Sequence, residues 1–186
     1  LFLVGISNNA NALSVTDVQL NGQNADGVSA VIMGNDNKAD LLINDYLGIG
    51  GSDFTFIVKD DLSSPGPGVG TYDGVTFTLL APAGELTSAA MTGEYDLGWT
   101  GTKFPLTIDL AIVLKASDRY AIWFFNDELL PAPGSNAPGD YWNITYTKNN
   151  NFPQLSHMAI FGRDVTQVPV PEPATMLLFG TGLAGL

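Results

Sequence analysis

The sequence predicts an all-β fold: a single antiparallel β-sandwich or jelly-roll-like domain of about nine strands, followed by a proline-rich spacer and an apolar C-terminal segment. Apolar and polar residues alternate with a period of two along many short segments. Clusters of Gly, Pro, Asn and Asp separate these segments, as turns do. No long segment shows the spacing of an amphipathic helix, and Pro82 and Gly84 weaken Leu80–Met91, the one modest helical candidate.

The individual strands are assigned from this alternation. In the clearest one, from Leu106 to Lys115, Leu or Ile occupies every even position, which predicts one buried and one solvated face. The other candidates are rich in Val, Ile, Thr and aromatic residues. They are Leu13–Leu20, Gly27–Met33, Phe54–Lys59, Gly74–Leu80, Tyr95–Thr100, Tyr120–Asn126, Tyr141–Thr147 and Leu155–Gly162. Asn21-Gly22 predicts a tight hairpin, and the prolines of residues 63–70 and 130–139 predict loops.

Length and charge restrict the class of protein. The chain has 186 residues, which allows one domain of ordinary size or at most two small ones. Its 19 acidic and 7 basic side chains give a net charge of −12, which argues against nucleic acid or an anionic membrane surface as a partner. The absence of Cys excludes thiolate catalysis, disulfides and Cys-based metal sites, and a single histidine excludes a multi-histidine metal site.

The N-terminus has the pattern of a secretory signal peptide. The apolar run Leu1–Ile6 is followed by Ala10 and Ala12, the small residues expected at positions −3 and −1 of a cleavage site. We therefore expect cleavage between Ala12 and Leu13, and we interpret residues 1–12 as the remnant of a signal peptide truncated at its start. The alternative is a first β-strand that begins with apolar residues.

The C-terminus combines a stiff spacer with an uncharged segment. Pro169, Pro171 and Pro173 stand at alternate positions, which favours an extended chain without helix or sheet pairing. Residues 174–186 carry no charge. A helix that spans a bilayer needs about 20 residues, so we expect a transmembrane helix that is truncated here. The alternative is a linker followed by a buried apolar segment.

The segment Val170–Thr175, together with the Gly-containing apolar run that follows it, resembles the PEP-CTERM sorting signal of Gram-negative bacteria. The resemblance implies a signal of three parts: the motif Pro171, Glu172 and Pro173, a transmembrane helix, and a basic cytoplasmic tail. It also implies recognition by an exosortase that cleaves near the motif, with the helix held transiently in the inner membrane.

This resemblance implies a division of the chain and a destination. Residues 13–167 would form the exported sandwich, and residues 168–186 would form the sorting signal. The product would reach the cell envelope, the cell surface or the extracellular space. Ala12–Val18 and Leu155–Gly162 are similar to segments of PEP-CTERM proteins with short sandwich ectodomains. Such proteins are associated with exopolysaccharide and biofilm, which the resemblance implies and the composition does not.

One loop concentrates oxygen ligands that suit calcium. Asp36, Asn37 and Asp40 are the candidate ligands, because Ca²⁺ takes six to eight hard oxygen atoms. The Gly and terminal Glu of an EF-hand loop are missing, and Lys38 is unfavourable. The alternative is turn formation through local side-chain hydrogen bonds.

The single histidine predicts a structural role. His157 alternates with Leu155, Ala159 and Phe161 on a strand face that is otherwise apolar. This pattern favours a core or interface histidine with one hydrogen bond over a catalytic residue.

Three functions remain open, and we expect the first: a non-enzymatic exported protein of the cell surface or matrix. The second is a carbohydrate-binding module, with calcium as an option. An exposed strip of Trp and Tyr on one sheet would favour it, and burial of all three tryptophans, Trp99, Trp123 and Trp142, would count against it. The third is a secreted glycoside hydrolase. Its candidate carboxylates form two adjacent pairs, which are poorly placed because neighbours on a strand point to opposite faces. These pairs are Asp60-Asp61 and Asp127-Glu128.

Overall fold

The computed structural model consists of strands in two antiparallel sheets that pack face to face, as the alternation predicts. It describes residues 12–36, 39–63, 66–82, 84–87, 90–133 and 140–169. The strands of these residues are β1 Gln19–Leu20, β2 Gln23–Asn24, β3 Gly27–Val28, β4 Ile32–Met33, β5 Thr55–Asp61, β6 Gly68–Tyr72, β7 Val75–Leu80, β8 Glu85–Leu86, β9 Met91–Thr100, β10 Leu106–Ala116, β11 Arg119–Leu130, β12 Asp140–Ile144 and β13 Leu155–Gln167. The helical elements are a 3-10 turn, Val15–Asp17, and the helix α1, Ala39–Leu47.

The two large sheets differ in size and order. Sheet I has the order β3-β11-β10-β13-β5, with β4 also paired to β11. Sheet II has the order β12-β9-β7-β6, with β8 paired to β9. Strands β1 and β2 form a separate hairpin through Asn21 and Gly22, whose φ angles of 52° and 72° are both positive. Two positive φ angles are the mark of a type I′ turn, so the predicted hairpin is confirmed.

The main core lies between the sheets. Even-numbered residues of β10, such as Leu110 and Ile112, contribute from sheet I, and Phe77 and Trp99 contribute from sheet II. Each of these side chains is at most 3% exposed. Burial of apolar surface stabilises a fold by about 25 cal/mol per Å², so this layer is the main source of stability.

The other face of sheet I is also buried, which corrects the prediction of a solvated face on β10. Its odd-numbered residues Asp109, Ala111, Val113 and Lys115 are all buried. The reason is a second apolar layer, in which Ile43 of α1 and neighbouring residues pack against this face. The sequence did not predict α1, because nine residues are too few to establish a helical period.

Arg163 of β13 fastens this second layer to sheet I. Its Nε donates to Oδ2 of Asp109 on β10 at 2.9 Å, and the pair is almost fully buried. Its Nη1 donates at 2.9 Å to the side chain of Asn44 in α1 and to the carbonyl oxygens of Gly50 and Ser52. One guanidinium group therefore joins two strands, the helix and the segment that follows the helix.

Three other predicted segments differ in detail. In Leu13–Leu20, predicted as a strand, Ser14 and Asp17 cap each other: the Ser14 N–H donates to Asp17 Oδ2 at 2.7 Å, which closes the 3-10 turn. The predicted loop 63–70 ends early, because β6 begins at Gly68. The helical candidate 80–91 contains no helix among its described residues and includes β8 instead.

Sheet I and sheet II approach each other closely at their edges β5 and β6. A Cβ atom on Gly70 would lie 1.8 Å from the carbonyl oxygen of Ile57, and one on Gly68 would lie 2.0 Å from that of Lys59. No side chain fits in such a space. The two glycines are therefore required where the backbone of β6 crosses the backbone of β5.

Replacing Gly70 by alanine is expected to force these edges apart. We expect Gly70→Ala to lower the free energy of unfolding by about 2–3 kcal/mol, since the obstructing atoms belong to the backbone and cannot rotate away. Urea denaturation measures the change. The matched control is Gly50→Ala, whose new Cβ would meet nothing within 4 Å. Equal losses in both variants would contradict the close-approach explanation.

Breaking the Arg163 pair is expected to have a larger effect. Arg163→Met leaves Asp109 buried without its cation, and we expect a loss of about 3–5 kcal/mol in the free energy of unfolding. The control is Lys59→Met, which breaks an exposed pair with Asp61 at 3.2 Å and is expected to change stability by less than about 1 kcal/mol. If denaturation curves of the two variants shifted by the same amount, Arg163 would not hold the second layer.

Candidate functional site

The C-terminal segment leaves the domain from a central strand. Strand β13 lies between β10 and β5, and its last residues pair with β10 up to Gln167, opposite Leu106. The Val168 N–H then donates to the carbonyl oxygen of Pro105 at 3.0 Å. Pro169, the last described residue, is exposed. The segment predicted to carry the sorting signal therefore begins where the pairing of sheet I ends.

The motif residues Pro171, Glu172 and Pro173 lie outside the described residues, as does the predicted C-terminal helix. In the part of the chain that the structure describes, no helix combines the length and apolar character that crossing a membrane requires.

The predicted signal-peptide junction lies at the start of the described chain. Ala12 is exposed, and Leu13 is half-buried against the main core, whereas Ala10 lies outside the described residues. The next residue, Ser14, accepts a hydrogen bond at its carbonyl oxygen from the Trp123 indole at 2.9 Å. The chain is thus part of the fold from Leu13 onward, and cleavage after Ala12 stays a prediction.

The predicted calcium loop is tied to sheet I by its first acidic residue. Asp36 Oδ2 lies 2.6 Å from His157 Nε2, and both side chains are nearly buried. Burial alone would raise the pKa of Asp36, but its hydrogen bond and charge interaction with His157 hold that pKa below its usual value. His157 is therefore a buried histidine with a hydrogen bond, as its apolar strand face predicts.

The other predicted calcium ligands are not described at the level of side chains. Asn37 lies outside the described residues, and the side chain of Asp40 in α1 does as well. Within the described ranges, no group of three or more His, Asp or Glu side chains is placed to hold a metal ion. Calcium binding by Asp36, Asn37 and Asp40 therefore stays a prediction.

Lys115 reinforces the same contact from β10. It pairs across the strands with His157, and its ammonium group donates to the carbonyl oxygen of Gly34. The ammonium nitrogen also lies 5.7 Å from the centre of the Tyr120 ring. Residues 34–36 are thus held against sheet I by two buried side chains that sequence reasoning did not connect.

The tryptophans and the aromatic segment of β11 are core residues. Trp99, Trp123 and Trp142 are 3%, 0% and 0% exposed, so none offers a stacking face to a sugar. In β11, Trp123 belongs to the main core, whereas Tyr120 and Phe124 pack beneath α1. Both aromatic faces of β11 are therefore buried.

The adjacent carboxylate pairs have separate structural surroundings. Asp60 is 5% exposed and accepts a hydrogen bond from the Ala81 N–H at 2.6 Å, whereas Asp61 is more exposed and pairs with Lys59. Glu128 accepts a hydrogen bond from the side chain of Asn21 at 2.7 Å. These contacts give the carboxylates roles in packing and turn formation.

Asp140 forms a pH-sensitive corner with the β1–β2 hairpin. It is 5% exposed, and burial raises its pKa to about 6 although the backbone N–H groups of Gly22 and Asn21 oppose the shift. The nearby negative charges of Glu128 and Asp96 raise the pKa further. Burial also raises the pKa of Glu128. The hairpin is therefore held by carboxyl groups that resist ionisation.

An open groove of about 540 Å³ lies on the outer face of sheet II. Its lining includes Pro82, the carboxylates Glu85 and Glu94, and the ring of Tyr141. The Tyr141 hydroxyl donates to the carbonyl oxygen of Thr16 at 2.7 Å, so the ring is fixed at the side of the groove. The sequence did not indicate this groove, because its residues come from three separate segments.

Comparisons with known proteins identify the C-terminal segment. Residues 169–186 match the family model of the PEP-CTERM protein-sorting motif, so the predicted sorting signal is confirmed. The motif implies an exosortase as processing partner and export across the inner membrane to the cell envelope or surface. No curated protein matches the chain. Among solved structures, the chain is similar to the Salmonella enterica trimeric lipoprotein SadB, with 14% identity and a TM-score of 0.40, over 63% of this chain and 64% of that chain.

The pKa of Asp140 predicts a pH dependence of stability. The folded-state pKa of about 6 exceeds the ordinary value of 3.8, so the folded protein binds this proton more tightly than the unfolded chain does. The resulting stabilisation is complete below about pH 4 and is lost as the pH rises through 6. In the wild type we expect the free energy of unfolding to fall by on the order of 1–3 kcal/mol over this pH range because of Asp140. This contribution should be absent in Asp140→Asn.

Urea denaturation at several pH values between 4 and 7 measures this effect. The difference in unfolding free energy between wild type and Asp140→Asn should change across this range. Asp53→Asn removes one negative charge from an exposed position and serves as the control. A constant difference between wild type and Asp140→Asn would show that Asp140 does not titrate in this window.

Proposed function

We propose that this exosortase-sorted protein is a non-enzymatic sandwich domain presented at the cell surface or in the extracellular matrix, in association with exopolysaccharide. The sorting motif at residues 169–186 is the observation that carries the proposal. It follows β13 directly, so the sandwich is the part of the chain that sorting delivers.

A structural role is supported by the partners of the buried charged groups. Asp109 is paired with Arg163, Asp36 is hydrogen-bonded to His157, and Asp60 accepts a backbone N–H. Each of these groups fastens one segment of the chain to another. These contacts hold the chain together, which favours a binding or structural protein over a hydrolase.

The outer face of sheet II supports contact with hydrated polysaccharide. It exposes hydroxyl and carboxylate groups at Thr78, Glu94, Asp96 and Thr100. Such groups exchange hydrogen bonds with water and with sugar hydroxyls. The groove beside Tyr141 favours the second candidate function, a carbohydrate-binding module that uses a tyrosine and two carboxylates in place of exposed tryptophan.

The intact mass of the native protein, taken from the culture medium and from membranes, tests the sorting step. We expect a form that begins at Leu13 and ends near Pro171. Replacing both Pro171 and Pro173 by alanine should abolish trimming, so that the protein keeps its C-terminal segment and stays with the membrane.

Pro153→Ala, in the loop before β13, is the control and should be trimmed like the wild type. If the wild-type protein kept the residues after Ala174 in every fraction, the segment would be an anchor or part of the core. The proposed matrix role would then lose its support.

A further inference from the structure

A mainly apolar cavity of about 640 Å³, open to solvent, lies where the N-terminal segment meets the residues between β3 and β4 and the residues after β12. Leu13, Val28 and Val31 contribute apolar surface to its wall. Arg119, the first residue of β11, is the one charged side chain among the described residues that line it. Cavities of this size hold a drug-sized small molecule, and a few fixed polar groups set its orientation.

Arg119 brings a positive charge to this wall, and its side chain is 26% exposed. Its Nη1 donates to the carbonyl oxygen of Thr147, but its Nε is buried and has no hydrogen-bond partner. The carboxylate of Asp118 lies 3.8 Å from Nε, beyond hydrogen-bond distance, and is 3.1 Å from the ammonium group of Lys148. Because Nε itself is buried, a ligand in the cavity would meet the exposed part of the Arg119 side chain, where a charge-assisted hydrogen bond to an anion is stronger than one between neutral groups.

Two other polar side chains of the wall, Ser29 and Tyr146, are already engaged. The Ser29 hydroxyl donates to the carbonyl oxygen of Ala30 at 2.7 Å and accepts from the Ile122 N–H at 3.1 Å. The Tyr146 hydroxyl donates to the carbonyl oxygen of Leu114 at 3.3 Å, and burial raises the pKa of Tyr146, so the phenol is neutral. Arg119 therefore dominates the electrostatic character of the cavity.

We propose that this cavity binds an anionic amphiphile: a small organic acid whose carboxylate, sulfonate or phosphate group meets Arg119 and whose apolar body lies against Leu13, Val28 and Val31. The volume suits a free acid with a medium-length chain or a small ring system, and not a two-chain membrane lipid.

Signal-peptide cleavage would change the mouth of the same cavity. Ala12 and Leu13, the residues on either side of the predicted junction, both belong to its lining. Cleavage between them would remove Ala12 and create an α-amino group on Leu13, which adds a second positive charge. This step rests on the predicted cleavage, whereas the preference for an anion rests on Arg119 alone.

Calorimetric titration of the full chain tests the proposal, with decanoate as the probe at concentrations below micelle formation. Decyltrimethylammonium, which has the same chain length and the opposite charge, is the matched ligand. We expect saturable binding of decanoate with one site per chain and at least tenfold weaker binding of the ammonium compound. Binding of both with equal affinity, or of neither, would overturn the proposal without any variant.

Two variants test whether decanoate binds in this cavity. Val31→Trp fills the apolar end and should reduce binding of decanoate at least tenfold. Arg119→Gln should reduce the affinity for decanoate by a similar factor and leave the affinity for decyltrimethylammonium unchanged. Lys103→Gln, which removes a cation from an exposed pair with Asp73, is the control and should bind as the wild type does.

Thermal unfolding of each variant, followed by circular dichroism, confirms that it is folded before titration. Decanoate binding that survives in folded Val31→Trp would show that the acid binds elsewhere on the chain, which would also overturn the proposal.

Discussion

The buried ion pair between Arg163 and Asp109 is the interaction on which the layered structure depends. Sheet I is apolar on both faces, and a sheet with two apolar faces is stable in water only if both are covered. Sheet II covers one face. The other is covered by α1 and the segment after it, which Arg163 fastens through Asn44 and two backbone carbonyl oxygens. A helix of nine residues is not stable in isolation, so its position depends on such contacts.

Further contacts offset the cost of burying the charges of Arg163 and Asp109. The centre of the Arg163 guanidinium group lies 4.5 Å from the Phe54 ring, which suits a weakly hydrated planar cation. The second carboxylate oxygen of Asp109 accepts from the Asp127 N–H at 2.9 Å, so the anion is satisfied as well. Other buried polar groups of this protein, such as Asp36 and Asp60, also form hydrogen bonds between segments that are distant in the sequence. Four buried side-chain atoms among the described residues have no hydrogen-bond partner, and Arg119 is the one residue of these four that lines the cavity.

The delivered domain and its delivery signal follow each other closely. The backbone of Val168 is still hydrogen-bonded to the domain, and the matched sorting motif begins at residue 169. The signal is read by a processing enzyme as a short stretch of chain, whereas the activity of the domain depends on its surfaces. The fold by itself therefore does not decide the function, and the groove of sheet II and the cavity at Arg119 are where ligand chemistry can be sought.

The sequence by itself determined the all-β class, the Asn21-Gly22 hairpin and the sorting motif, because alternation, turn chemistry and a linear motif are properties of neighbouring residues. Only the tertiary structure decided that the second face of β10 is buried and that His157 meets Asp36, 121 positions away. It also decided that Arg119 lies in an apolar cavity. A single strand shows which residues share a face, but not which distant segment covers that face. The covering surface is chosen by packing and by the pairing of buried charges, and these come together only when the chain has folded.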